Sequence, residues 1–237
     1  MQVFFSSMVR MPVIGMIMLG LLSAAGTVIP SMGGAGIGVA HAASSSVTLL
    51  VFGDSLVAGY GLPQGVAFPD QLGKSLEHDG VEVTIINGGI SGDTTAGGAS
   101  RIDWSLADKP DAVIVVLGGN DALRGLAPED MERNLDRIIT AVQTRGIPMM
   151  LAGMHAPANM GGQYGAEFDQ AFLNAVSKSK ARSPEVMFYP FFLDGVALDP
   201  ALNQNDGIHP NEDGVGVIVE RVRPMVDDLL ARASAQQ

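Results

Sequence analysis

The stretch that sets the fold is VTLLVFGDSL, residues 47–56, in which six apolar or β-branched residues run into a glycine and a polar turn. Four more runs of the same kind follow along the chain, at residues 81–86, 112–117, 147–151 and 186–192. Short, near-continuous apolar runs are typical of strands that are buried on both faces, as in a parallel sheet covered by helices. The sequence therefore predicts five buried strands.

Stretches with helical periodicity separate these runs. The clearest helix is predicted to begin at Pro128 and to end before Gly146, because acidic residues fill its first turn and its apolar residues recur on one face. Three further helices are predicted: residues 69–78, about 167–180, and a last one after Asn211 with a kink at Pro224. Strands alternating with helices predict one doubly wound α/β domain, whose right-handed crossovers bring the strand carboxyl ends to one edge.

Loops rich in glycine and polar residues follow four of the five predicted strands. They read GDSL at residues 53–56, GGISGDT at 88–94, GGND at 118–121 and DGIHP at 206–210. Open α/β sheets bind their ligands at the carboxyl edge of the strands. These four loops are therefore the candidate site.

The residue types in these loops match the needs of a serine hydrolase. Such an enzyme requires a hydroxyl, an imidazole that accepts its proton, a carboxylate that orients the imidazole, and donors for an oxyanion. Ser55 directly follows a buried strand, Asp206 and His209 are three residues apart, and Asn120 brings a neutral amide donor. Each feature alone is ordinary turn chemistry, but their joint occurrence at one edge favours a serine hydrolase.

The same blocks resemble those of the GDSL or SGNH hydrolase family. In this chain they read VFGDSLVAGYG, INGGISGDTT, VLGGNDALRG and DGIHPNEDG, and the resemblance extends over about residues 47–230. The version found here is similar to bacterial periplasmic enzymes with combined thioesterase, arylesterase and lysophospholipase activity. The resemblance implies a flavodoxin-like three-layer α/β/α fold with a five-stranded parallel sheet.

The resemblance also implies roles for individual residues. Ser55 would be the nucleophile, His209 the base and Asp206 its orienting partner. The backbone N–H groups of Ser55 and Gly92 and the side chain of Asn120 would form the oxyanion hole.

Other residues at the same edge are given lesser roles. His155 follows the fourth strand, and we expect it to line the substrate cleft and not to act as the base, since no carboxylate adjoins it in sequence. Leu56 and Leu123 flank the polar loops and are expected to contact the acyl group. Asp54 is expected to bond nearby backbone, because adjacent residues on an extended chain point opposite ways. Trp104 is interpreted as a core residue.

Metal-dependent hydrolysis is the main competing mechanism. A metallophosphoesterase needs several His and Asp ligands, and Asp54, Asn120 and His209 are too few unless His155 joins them. The glycine-rich loop at residues 88–98 lacks the Gly-Lys-Ser/Thr ending of a nucleotide-binding P-loop. We therefore expect no metal and no cofactor.

The first residues indicate export. Arg10 is the only formally charged residue before Asp54, residues 11–29 are almost wholly apolar, and small residues around Ala42 suit an A-x-A cleavage site. The sequence therefore predicts a signal peptide at residues 1–42, a hydrolase domain at 43–237, and a periplasmic or secreted enzyme. An uncleaved membrane anchor is the alternative, since about 20 apolar residues can span a bilayer.

Composition narrows the remaining choices. The chain has 237 residues and no cysteine, which excludes disulfides and a thiol nucleophile. A formal net charge of −11 argues against a nucleic-acid partner. We expect a monomer that acts on a small ester or thioester, with no stable membrane anchor once the signal is removed. A carbohydrate O-acetyl esterase with the same triad and a non-catalytic lipid-binding relative are the alternative hypotheses.

Overall fold

Five parallel strands form one sheet in the computed structural model, which describes residues 46–237. In chain order the strands are β1 (Val47–Gly53), β2 (Val83–Gly89), β3 (Ala112–Val116), β4 (Met149–Ala152) and β5 (Met187–Tyr189). Their order across the sheet is β2-β1-β3-β4-β5. The described residues belong to one compact unit, Ala43–Gln237. The predicted signal peptide, residues 1–42, lies outside the described residues.

Helices cover the sheet on both sides. In chain order they are α1 (Ser55–Ala58), α2 (Phe68–His78), α3 (Thr95–Ser105), α4 (Gly119–Leu123), α5 (Pro128–Gln143), α6 (Gly162–Ser179) and α7 (Glu212–Ser234). α2 packs against α7 on one side of the sheet, and α5 packs against both α3 and α6 on the other. This three-layer arrangement confirms the predicted fold class.

The burial of each strand follows its place in the sheet. Every residue of β3 and β4 is buried, whereas the edge strands β2 and β5 are mostly half-buried. A central strand has helices over both faces and neighbours on both sides, so continuous apolar sequence suits it. The predicted runs locate all five strands, although the regular part of β5 is shorter than its apolar run.

Local sequence signals explain where the long helices begin. Pro128 occupies the first turn of α5 together with Glu129 and Asp130, where its missing N–H costs nothing and the acids favour the helix dipole. The Asn211 side chain accepts a 2.9 Å hydrogen bond from the N–H of Gly214 and so caps α7. None of the helices between residues 46 and 237 is both long and apolar enough to cross a membrane.

α3 begins inside the predicted glycine-rich loop, residues 88–98, and continues over a stretch for which the sequence predicts no helix. Thr94 caps it by accepting a 3.3 Å hydrogen bond from the N–H of Gly97. A Cβ at Gly98 would lie 2.4 Å from Leu117 Cδ1, so glycine is what allows this helix to approach the sheet closely. Trp104, near the end of α3, is 79% exposed, and its interpretation as a core residue is therefore wrong.

The chain reverses its direction across the sheet between β1 and β3. From β1 it first crosses outward to β2, and it then returns past β1 to β3. Gly53 pairs with Gly89 on one side and with Val116 on the other, so three strand ends lie level. Such a switch point leaves a crevice at the carboxyl edge, which is where this class of sheet places its ligands.

Candidate active site

Ser55 stands at this switch point. It is the first residue of α1, two positions after the end of β1, and 9% of its surface is exposed. Asp54 caps the short helix by accepting a 3.0 Å hydrogen bond from the N–H of Leu56. The rigid strand and the capped turn therefore fix the Ser55 backbone, while its hydroxyl reaches the crevice.

An imidazole and a carboxylate are lined up behind the Ser55 hydroxyl. His209 Nε2 lies 2.8 Å from Ser55 Oγ, and His209 Nδ1 lies 2.7 Å from Asp206 Oδ2. Because an ionised carboxylate only accepts, Nδ1 carries the hydrogen of the neutral ring. Nε2 is then the acceptor that faces the serine hydroxyl, which is the arrangement a general base requires.

The spacing of Asp206 and His209 is explained by a tight turn. Asp206 Oδ1 accepts hydrogen bonds from the backbone N–H groups of Ile208 at 2.9 Å and His209 at 3.0 Å, and Gly207 adopts a positive φ of 68° between them. Burial opposes ionisation of Asp206, but hydrogen bonds from the His209 backbone and ring and from Ile208 together lower its pKa to about 2. The carboxylate is therefore charged at neutral pH.

Two residues that the sequence analysis did not single out hold the histidine in place. The Tyr60 ring lies against the His209 ring, with their centroids 4.8 Å apart. Gln204 Nε2 donates to the Tyr60 carbonyl at 2.8 Å and to the Pro210 carbonyl at 2.9 Å. Gln204 thus ties the histidine segment to the loop that follows the nucleophile.

Two of the three predicted oxyanion donors, Gly92 and Asn120, follow the neighbouring strands β2 and β3. Asn120 is in α4, directly after β3, and its Nδ2 donates to Asp54 Oδ2 at 3.2 Å. Gly92 lies in the loop after β2 with a φ of 83°, and its carbonyl accepts a 2.7 Å hydrogen bond from Arg124 Nη2. Arg124 follows α4, so this bond joins the Gly92 loop to the helix that carries Asn120.

The two acidic residues next to these groups are buried. Burial raises the pKa of Asp54 to about 6, although the Leu56 N–H, the Asn120 amide and His209 all favour its charged form. Burial also raises the pKa of Asp121, against hydrogen bonds from the Thr95 hydroxyl at 2.6 Å and the Thr95 N–H at 2.9 Å. The expectation that Asp54 bonds nearby backbone is confirmed, and the structure adds its contact with Asn120.

Arg101 in α3 joins the ends of β1 and β2 beneath the site. Its guanidinium donates to Asp93 Oδ2 at 2.7 Å, to the Gly88 carbonyl at 3.0 Å and to the Gly53 carbonyl at 2.9 Å. It also lies 3.9 Å from the centroid of the Phe52 ring. Both side chains of the Arg101–Asp93 pair are only 15% exposed, so this contact is largely shielded from water.

We expect Arg101→Met to lower the free energy of unfolding by about 3 kcal/mol, because breaking a largely buried ion pair leaves the Asp93 charge without its partner. A loss of this size lowers the Tm of a domain of this length by roughly 6–12 °C, as measured by circular dichroism. Arg145→Met is the matched control, since the Arg145–Asp103 pair is 41% and 76% exposed. A surface pair contributes about 0–1 kcal/mol. Equal losses in the two variants would contradict a special role for Arg101.

The other predicted contact residues lie around the same edge. His155 follows β4, and its Nδ1 lies 2.9 Å from Asp169 Oδ1 in α6 while its ring packs 4.4 Å from that of Phe191. This carboxylate lies 14 positions further along the chain, in the helix that follows, so it does not adjoin His155 in sequence. Leu56 packs partly against the core, and Leu123 is 49% exposed.

At the switch point of a doubly wound sheet, a serine hydroxyl is hydrogen-bonded to an imidazole, and that imidazole is hydrogen-bonded to a carboxylate. This arrangement defines a serine hydrolase of the three-layer α/β class. Comparison with known proteins narrows this class. Residues 51–217 match the GDSL-like Lipase/Acylhydrolase family, and the chain belongs to that family. The resemblance predicted from the sequence blocks is confirmed.

Individual relatives agree with this assignment. The chain is 37% identical to Esterase TesA of Pseudomonas aeruginosa over 79% of its own length and 91% of that protein. It is 35% identical to Thioesterase 1/protease 1/lysophospholipase L1 of Escherichia coli K12, over 78% of this chain and 88% of the relative. The crystal structure of TesA superposes with a TM-score of 0.72 at 36% identity, covering 77% of this chain and 99% of that one. The protein is therefore an ester hydrolase of the GDSL type.

Proposed function

We propose that this enzyme cleaves carboxylic esters and acyl thioesters through an acyl-enzyme on Ser55. The observation that carries the proposal is the continuous line of contacts from Ser55 Oγ through the His209 ring to the Asp206 carboxylate, at 2.8 and 2.7 Å. His209 acts as the general base, and Asp206 holds its tautomer and stabilises the imidazolium. All three residues come from one chain, so a monomer suffices.

The chemistry proceeds in two halves. As Ser55 Oγ bonds to the acyl carbon, its proton moves to His209 Nε2 and the carbonyl oxygen becomes an oxyanion. The N–H groups of Ser55 and Gly92 and the Asn120 amide are the proposed donors to that oxyanion. Collapse expels the alcohol or thiol, which takes the proton from Nε2. Water then repeats the sequence on the acyl-enzyme, releasing the acid and restoring the Ser55 hydroxyl.

An apolar rim around the site supports acyl substrates. Of the eight large apolar side chains that the described chain exposes, five lie close in sequence to the catalytic and oxyanion residues. We define the rim as these five, each 36–55% exposed: Tyr60, Ile90, Leu123, Leu126 and Ile208. Exposed apolar side chains concentrated at one site are typical of surfaces that contact an apolar ligand. Together with the partly buried Leu56, the rim offers contacts to an acyl chain, and His155 lines the substrate cleft.

The proposed substrates are aryl esters, acyl thioesters and lysophospholipids. Names of the relatives include esterase, thioesterase and lysophospholipase, which supports this range.

The proposed location is the periplasm or the exterior, reached through a signal peptide at residues 1–42. Arg10, the apolar segment and the Ala-rich boundary support that proposal. An exported protein whose N-terminus is not Ala43 would contradict the boundary.

Burst kinetics over a panel of acyl chain lengths test the proposed function. We expect rapid release of nitrophenol in an amount equal to the enzyme, followed by slower steady turnover, because acylation of Ser55 precedes hydrolysis. The panel runs from acetyl to palmitoyl, with oxygen and sulfur leaving groups. Turnover confined to acetyl esters would favour the carbohydrate O-acetyl esterase, and no turnover of any member would favour a lipid-binding protein.

A further inference from the structure

A buried carboxylate next to the nucleophile has no part in the mechanism above. Asp54 is 1% exposed, and each of its oxygens has a different partner. Oδ1 accepts from the Leu56 N–H at 3.0 Å, and Oδ2 accepts from Asn120 Nδ2 at 3.2 Å. Asp54 forms no ion pair with an Arg or Lys between residues 46 and 237. This carboxylate is thus an acceptor for two neutral donors.

Capping of α1 does not account for a charge at this position. The cap uses Oδ1 alone, and Ser, Thr or Asn would serve the Leu56 N–H about as well. A carboxylate is the costly choice, because burial penalises its charged form and raises the pKa of Asp54 to about 6. The Asp121 charge adds to that penalty and His209 offsets part of it. The contact between Asp54 Oδ2 and the Asn120 amide must therefore explain why this residue is an acid.

The Asn120 amide can be placed in two ways that differ only by exchanging its oxygen and its nitrogen. The first placement turns the NH₂ group towards Asp54, and its second N–H is then available to a substrate. The second placement turns the carbonyl oxygen towards Asp54 instead. An ionised carboxylate only accepts, so it selects the first placement. An Asn at position 54 that keeps its oxygen on the Leu56 N–H turns its NH₂ towards Asn120, and so it selects the opposite placement of that amide.

We infer that Asp54 is a positioning residue that fixes the orientation of the Asn120 amide. One N–H of that amide donates to Asp54, and the other N–H is presented to the oxyanion. The inference rests on the proposed role of Asn120 in the oxyanion hole. Asp54 then does for the amide what Asp206 does for the imidazole: it selects one of two orientations. The site uses one carboxylate for the base and a second for the oxyanion donor.

Asp54→Asn is the direct test, because it keeps the size of the side chain and its cap on Leu56. We expect kcat for a nitrophenyl ester to fall about 10²–10³-fold at neutral pH, the loss typical of a missing oxyanion donor. KM should change little, since the donor acts on the transition state. The Tm should be no lower than that of the wild type, because the variant removes a buried charge. Asp54→Ser is a second variant, whose hydroxyl can cap Leu56 but is too short for Asn120. It leaves the amide free to take either placement, so it should lose less kcat than Asp54→Asn.

A double-mutant cycle separates this inference from the function on which it rests. If Asp54 acts through Asn120, Asp54→Asn costs nothing further in an Asn120→Ala background. Full activity in Asp54→Asn and Asp54→Ser, or equal losses in both backgrounds, would overturn the positioning role. Full activity in Asn120→Ala would instead overturn the oxyanion role of Asn120.

Asp121→Asn is the matched control for loss of a buried carboxylate at this edge. Its oxygens accept from the Thr95 N–H and hydroxyl and do not contact the Asn120 side chain. An amide at this position can turn its oxygen to the Thr95 N–H, but its NH₂ then faces the Thr95 hydroxyl, which loses its acceptor. The variant should therefore lose Tm and keep kcat. A loss of kcat in Asp121→Asn as large as in Asp54→Asn would show that any buried acid here matters equally, which contradicts the inference.

Discussion

Ser55→Ala is expected to lower kcat for a nitrophenyl ester on the order of 10⁶-fold, the loss found when a serine hydrolase loses its nucleophile. The whole reaction is routed through a covalent bond to Ser55 Oγ, so no acyl-enzyme forms without it. The burst of nitrophenol disappears, and an organophosphonate that labels the wild type no longer adds its mass. Substrate binding survives, because the rim and the oxyanion donors are unchanged.

The loss in Ser55→Ala will not come from unfolding. Ala is a good helix former, and Asp54 still caps α1 through the Leu56 N–H. We therefore expect the same Tm as the wild type. Ser177→Ala is the matched control, since Ser177 is an exposed serine in α6 away from the site. If Ser55→Ala keeps more than about one percent of the wild-type kcat, the covalent route is wrong.

The strands could be predicted because burial on both faces leaves a direct signal in the sequence. The apolar run at residues 112–117 corresponds to β3, all of which is buried. The run at 186–192 overestimates the length of β5, because its last apolar residue packs in the core outside the strand. Phe192 donates its N–H to the Gly153 carbonyl outside the strand and packs its ring against Phe68 at 5.0 Å. An apolar run therefore predicts which residues are buried, but it does not by itself predict where the strand ends.

α3 was missed because glycine has low helix propensity and signals a loop. Its start carries a signal that could have been used: Thr94 is a good cap, and Ile102 and Leu106 follow Ala99 at helical spacing. The glycines are present for tertiary reasons, since Gly98 gives the helix close access to the sheet. Packing of this kind between distant segments overrides local propensity.

The proposed catalytic groups could be predicted, but the residues that hold them could not. Ser55, Asp206 and His209 stand out because each follows a strand or lies in a loop of unusual composition. Ser55 and His209 are 154 positions apart, and only the common edge of the sheet links them before the structure is known. Arg101 lies within a helix that the sequence does not predict, so nothing marks its contacts with the strand ends.

Asp206→Asn is expected to lower kcat about 10⁴-fold with little change in the fold. The amide oxygen can still accept from the N–H groups of Ile208 and His209, so the turn survives. The amide nitrogen, however, now faces His209 Nδ1 across 2.7 Å. The ring must place its hydrogen on Nε2 to avoid two opposed donors, and Nε2 can then no longer accept the Ser55 proton. The variant thus keeps every group in place and loses the tautomer that the base requires.

Asp199→Asn is the matched control for this loss. Asp199 Oδ1 accepts a 2.9 Å hydrogen bond from the N–H of Ala201, much as Asp206 accepts from Ile208, but Asp199 is not bonded to a histidine. We expect it to keep the wild-type kcat. Because the pKa of Asp206 is about 2, the wild-type carboxylate stays ionised from pH 4 upward, and its titration adds no step to the pH profile there. Equal kcat values in Asp206→Asn and Asp199→Asn would show that His209 keeps its tautomer without help, and the proposed role of Asp206 would be wrong.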